Sequence, residues 1–145
     1  MRRLLLLTVL FTSLNYATNI IKEGQDYPIE KMKEQNREII KMVVEEISKR
    51  LPQSVDSYTK LVKIEDKGLM LIYTFEINTG IKSDEAVIKE DEARMRRVVS
   101  KGICQSSKRF LDAGIDLSYR YQSALSKKTL FTFTMTQASC KELQL

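Results

Sequence analysis

The chain of 145 residues contains no histidine and no tryptophan, and only two cysteines, two prolines and five glycines. Without histidine it lacks the commonest general base, the commonest zinc ligand and every Ser-His or Cys-His nucleophile pair. Cys104 and Cys140 lack the close C-x-x-C spacing of thiol oxidoreductases and, if joined to one another, leave no soft metal ligand. Gly68, Gly80, Gly102 and Gly114 stand singly, which excludes a glycine-rich phosphate cradle. Long apolar runs are missing too: the longest, Leu4 to Leu14, is interrupted by Thr8, Thr12 and Ser13 and falls short of the roughly 20 residues that span a bilayer.

A strong excess of one charge is also absent. Lysine and arginine total 24 against 19 acids, a formal +5, which favours weak attraction to anionic surfaces but is not the concentrated basic footprint of a nucleic-acid binder. The front of the chain reads as an export signal. Met1-Arg2-Arg3 is a positive n-region, Leu4 to Leu14 a short apolar core, and Ala17 a small-residue cleavage point. Left uncleaved, the same segment would be an N-terminal anchor. Cleavage removes Arg2 and Arg3 and no acid, leaving 22 − 19, or +3. The expected organisation is a signal peptide (1–17), an N-terminal arm (18–27) and a single domain (28–145), located in the periplasm or secreted. In an oxidising compartment Cys104 and Cys140 can pair.

From Pro28 a helical period takes over. Ile29, Met32, Ile39, Ile40, Val43, Val44, Ile47 and Leu51 recur at helical spacing, interrupted by Gln35 and Asn36, and Pro52 ends the pattern near Leu51. After a polar connector (53–57), Tyr58 to Glu65 and Leu69 to Ile77 flank a three-residue loop ending at Gly68, which predicts a β-hairpin. Ser83 is placed to cap a second helix, with Asp84 and Glu85 in its first turn. Its apolar stripe runs through Val87, Ile88, Met95, Val98, Val99, Ile103 and Cys104. A shorter helical piece over 107–113 ends at Gly114. Ile115, Leu117, Tyr119 and Tyr121 then alternate with polar residues, as do Phe131, Phe133 and Met135 after a polar turn.

The expected fold is therefore α+β, a helix-hairpin-helix-hairpin (αββαββ) chain. Its expected form is a mostly antiparallel four-stranded sheet with both helices packed on one face.

Three groups of residues carry possible chemistry. The acids Asp84, Glu85, Glu90, Asp91 and Glu92 could hold a hard cation or act as catalytic acids. They alternate with Lys89, Arg94, Arg96 and Arg97 at spacings that suit ion pairs on a solvated helix face. Tyr73, Phe75, Tyr119, Tyr121, Phe131 and Phe133 could stack bases on an open sheet, but strand aromatics more commonly fill a core. The third group is Ser118, Arg120, Gln122, Thr132, Thr134 and Thr136, a polar sheet face that could receive a partner. The edge strand could accept an added strand.

The run Cys104…Phe110-Leu111-Asp112-Ala113-Gly114…Tyr119-Arg120-Tyr121…Cys140, behind the Tyr73 hairpin, resembles small uncharacterised exported proteins of Gram-negative bacteria. The resemblance implies a periplasmic home and pairing of Cys104 with Cys140, and brings no activity with it.

No cofactor, metal site or catalytic residue is expected, and no nucleic-acid partner. The first functional reading is a non-enzymatic protein-binding or envelope-assembly factor whose partner is another envelope protein. The second is a small-ligand-binding protein or carboxylate-based hydrolase with a Tyr- and Phe-lined pocket between helices and sheet. A secreted inhibitor or immunity-type protein is the third.

Overall fold

The computed structural model describes residues 28–143, so the expected signal peptide and arm lie outside the described residues. Helix α1 (Ile29–Ser48) starts behind Pro28, whose carbonyl accepts the Lys31 and Met32 amides. It turns Asn36 and Ile40 fully inward and Val43, Val44 and Ile47 partly so. It ends at Ser48, short of the expected Leu51, with the last turn closed by the Arg50 N–H on the Ile47 carbonyl.

Strands β1 (Gln53–Ser54), β2 (Thr59–Lys67) and β3 (Met70–Ile77) follow. Lys67 pairs directly with Met70, so the hairpin loop is two residues, Gly68 and Leu69, rather than three. Gly68 has φ +66°, a conformation that a side chain disfavours, and it occupies the first loop position. Val62 is an extra residue between the Leu61–Phe75 and Lys63–Thr74 pairs, a bulge that lets Leu61 and Ile64 both face the core.

Helix α2 (Asp84–Ser106) opens as expected, with the Ser83 hydroxyl accepting the Ala86 N–H at 3.2 Å. Helix α3 (Lys108–Asp112) leads into β4 (Asp116–Ser123) and β5 (Thr129–Met135), and α4 (Gln137–Glu142) closes the described chain.

The sheet has five strands in the order β1-β2-β3-β4-β5. Two features correct the expectation. The connector contributes a short edge strand, β1, antiparallel to β2, so the sheet is not four-stranded. The two hairpins also meet in parallel: Met70 faces Asp116 and Ile77 faces Ser123 across β3 and β4. The cause is α2, whose 23 residues return the chain along the sheet before β4 begins. Such a crossover is what a parallel pair requires, and a tight turn cannot supply it. The sheet is therefore mixed, and a repeated helix-hairpin unit describes the element order but not the pairing.

Both long helices lie on one face. Ile40 of α1 and Ile103 of α2 pack against Ile64, Leu71, Leu117 and Met135 in one cluster. A second cluster joins Val87 of α2 to Leu61, Phe75, Tyr121, Phe131 and Phe133. Cys104, near the end of α2, and Cys140, in α4, are both buried and stand at disulfide distance with Cα atoms 5.5 Å apart. The link closes a 36-position loop and ties the segment behind β5 to α2. Among the described residues, no helix is long and apolar enough to cross a membrane.

Candidate functional site

The polar residues expected to share a sheet face largely do so. Glu65, Ile72, Ser118 and Thr134 form one transverse row, and Lys63, Thr74, Arg120 and Thr132 the next. Gln122 lies one row further on, beside Glu76. Much of this face is already satisfied internally. The Thr134 hydroxyl donates to Ser118 Oγ at 2.9 Å, and Gln122 Nε2 donates to Glu76 Oε1 at 3.0 Å. The Lys127 ammonium, 2.7 Å from Glu76, holds that carboxyl below its usual range. Lys63 does the same for Glu65, with Arg120 contributing from further away.

Thr136 does not belong to this face. It leaves the strand to cap α4, its hydroxyl accepting the Ser139 N–H at 3.1 Å while Ser139 Oγ accepts the Thr136 N–H at 2.8 Å. Reciprocal capping takes its side chain out of the alternation.

The acidic run on α2 is likewise engaged. Arg94 pairs with Asp91 at 2.7 Å, Arg96 with Glu92 at 2.8 Å, Lys82 with Glu90 at 2.6 Å and Lys128 with Glu85 at 2.7 Å. Asp84 accepts the Ser126 hydroxyl at 2.6 Å.

A concavity with an aromatic floor lies on the helix side, at the Ile77 end of the sheet. It is a groove of about 530 Å³ between the β1–β2 loop and α2 from Val87 to Val99. Phe75, Ile77, Tyr121 and Phe131 supply sheet residues, Val87, Met95 and Val99 the helix wall, and Val55 and Tyr58 the opposite rim. Phe75 stacks on Tyr121 with ring centroids 4.9 Å apart, and Phe131 stacks on Phe133 at 5.9 Å. Burial pushes the Tyr121 hydroxyl up to about 12, so it is a neutral, mainly apolar surface at physiological pH.

The rim is held by local hydrogen bonds. Asp56 Oδ1 accepts the Tyr58 and Thr59 amides, both at 2.8 Å, and the Tyr58 N–H in particular lowers the Asp56 pKa. The Val55 N–H donates to the Thr59 carbonyl at 2.9 Å, and the Tyr58 carbonyl accepts from Asn78. This bracing leaves apolar side chains in solvent: Val55 is 58% exposed, Tyr58 68% and Val98, on the helical wall, 60%. Asp56 and Asp91 are the two carboxylates in the lining, the first bound to backbone amides and the second to Arg94.

The strand aromatics therefore serve two purposes, filling the core and flooring a groove. A Tyr- and Phe-lined space between helices and sheet was legible in the strand pattern. The Val55–Tyr58 rim was not, because Val55 is a lone apolar residue in the polar connector (53–57) and Tyr58 reads as the start of a strand. Neither position signals a rim.

No family model matches the chain, and no curated protein matches its sequence. Solved structures do match its fold. A protein of Pseudomonas aeruginosa described as a putative secreted protein superposes with a TM-score of 0.64 at 15% identity, over 75% of this chain and 96% of that one. The pilotin EpsS of the Vibrio vulnificus type 2 secretion system gives 0.63 at 15% identity, over 77% and 96%. The type II secretion pilotin AspS of Vibrio cholerae gives 0.60 at 17% identity, over 77% and 98%. The chain thus has the α+β fold found in two secretion-system pilotins and the Pseudomonas aeruginosa protein, a likeness of architecture spanning nearly the whole of each.

Proposed function

We propose that this chain is a non-enzymatic envelope-assembly factor of the periplasm, which holds an apolar segment of another envelope protein in the groove beneath Tyr58 and Val98. The observation that carries this reading is the exposed apolar rim above an aromatic floor. Apolar side chains braced in solvent around a concavity mark a recognition surface, whereas scattered surface apolar residues do not. The fold shared with secretion-system pilotins supports an assembly role. The open polar face is the weaker choice, because Ser118 bonds Thr134 and Gln122 bonds Glu76, although the buried Thr74 hydroxyl beside them has no partner among the described residues.

A small apolar ligand is the second reading, favoured by the groove volume of about 530 Å³ and its Phe and Tyr lining. Such a volume falls within the range of roughly 300–1,000 Å³ common to ligand sites.

Purified protein immobilised over detergent-solubilised envelope, with Tyr58→Asp, Val98→Asp and Arg120→Glu variants in parallel, separates these ideas. The groove reading expects both aspartate variants to lose a protein that the parent and Arg120→Glu retain. Equal recovery by all four forms contradicts it. Recovery of lipid or another small apolar molecule, with no protein, favours the ligand reading.

A further inference from the structure

Strand β5 ends the sheet, and its outer edge has no strand beside it among the described residues. Its sequence, Thr129-Leu130-Phe131-Thr132-Phe133-Thr134-Met135, contains no charge, proline or glycine. Proteins ordinarily guard a free edge with a lysine, a proline, a bulge or a very short strand. Strand β1, at the opposite edge, uses the last device, being two residues long. Strand β5 carries one such guard near its start, a bulge at Leu130 between the Tyr121–Phe131 and Gln122–Thr129 pairs. The five regular residues beyond it, Phe131 to Met135, are a template for strand addition.

The flank above that edge decides what can be added. Arg96 reaches down from α2 to lie 5.2 Å over the Phe133 ring. Together with Arg97, Lys101, Ala93, Ser100 and Leu143 it lines a recess of about 370 Å³ that contains three cations and no carboxylate. Arg96 is paired to Glu92, but Arg97 and Lys101 make no ion pair among the described residues. A second copy docking edge to edge would bring two such basic flanks together, and like charges brought together oppose association. The flank thus discourages self-pairing while attracting opposite charge.

We propose that the β5 edge receives an extended segment of a partner protein, with acidic side chains at alternate positions on the helix-facing side. Backbone hydrogen bonds to β5 hold the segment, and Arg97 and Lys101 select its charge. Its other side chains continue the Thr132 and Thr134 surface and are small or β-branched, following the twofold alternation of a strand. Phe131 is common to both surfaces, its side chain in the groove and its backbone on the β5 edge, but Arg97 and Lys101 lie outside the groove lining, so variants there test this edge alone.

The test uses three synthetic peptides on the isotopically labelled chain. One alternates glutamate with threonine and valine, one replaces each glutamate by lysine, and one keeps glutamate but is N-methylated at alternate amides. Amide hydrogen exchange and chemical shifts locate binding. The acidic peptide is expected to protect β5 amides, and the N-methylated and lysine peptides to bind at least about tenfold more weakly. Arg97→Glu with Lys101→Glu is expected to abolish the preference for the acidic over the lysine peptide, with the fold confirmed by an unchanged melting temperature. No binding of the acidic peptide at millimolar concentration, equal binding of all three, or shifts confined to the groove would overturn the proposal. So would concentration-dependent self-association that protects β5 without peptide.

Discussion

The side-chain amide of Asn36, buried on α1, donates to the main-chain carbonyl of Ala113 at 2.7 Å, across 77 positions of sequence. The bond joins the first half of α1 to the turn between α3 and β4. Asn36 interrupts an apolar stripe, which predicts a loosely buried start to the helix, yet the interruption is itself a fastening. Asn36→Ala would leave that carbonyl without its partner in a partly dry site. A loss of about 1–3 kcal/mol is expected in denaturant unfolding. A change under about 0.5 kcal/mol, the usual scale of neutral surface substitutions, would contradict this role.

How much of this architecture can be read from the residues depends on the kind of information each element needs. Helix α1 follows from spacing alone, and Ser83 caps α2 as its residue type demands. The hairpin pairs are local, and alternation marks them. The parallel contact of β3 with β4 is non-local: Tyr73 meets Tyr119 because α2 runs the length of the sheet, which no alternation within either strand encodes. Thr136 continues the Thr132, Thr134 alternation in sequence and leaves it in space, since Ser139 offers reciprocal capping three residues later. Strand β1 is too short to show a period, and Val55, on the groove rim behind it, shares that difficulty.

The Cys104–Cys140 link closes 36 positions, for which the chain-entropy model gives roughly 3.5–4 kcal/mol. Cys104→Ala with Cys140→Ala is expected to lower the melting temperature by about 10–15 °C, a drop that reductant reproduces in the parent and leaves absent in the double variant. Equal melting of oxidised parent and double variant would show that the link adds no stability.

Tyr73 and Tyr121 are both pushed up to about 12, chiefly by burial. An unfolded tyrosine ionises near 10. Burial favours the neutral phenol, so this stability is fully present below about pH 10 and is lost as pH rises toward 12. Thermal unfolding between pH 9 and 12 is expected to fall more steeply for the parent than for Tyr121→Phe, which has no proton to lose. Parallel slopes would contradict the assignment.

Asp56 shapes the rim of the groove without lining its floor. Asp56→Ala removes the acceptor for the Tyr58 and Thr59 amides. It is expected to weaken partner capture while leaving the global melting temperature within a degree or two, since the site is exposed. Asp56→Asn, which keeps an acceptor oxygen, is expected to retain more binding. Because these backbone bonds depress the Asp56 pKa, with the Tyr58 N–H foremost, the ordered loop persists above the ordinary aspartate range. It loosens as pH falls through the lowered value. Amide exchange at Tyr58 that is unchanged in Asp56→Ala would count against this bracing.

The groove is tested most directly by a photoreactive phenylalanine analogue placed at Tyr58, with Glu38 on the outer surface of α1 as the control position. Irradiated in the cells that produce the protein, the Tyr58 position is expected to form one discrete adduct with an envelope protein. That adduct is lost on Val98→Asp, and the Glu38 position does not form it. No adduct at Tyr58, or the same adduct from both positions, would contradict a partner-binding groove.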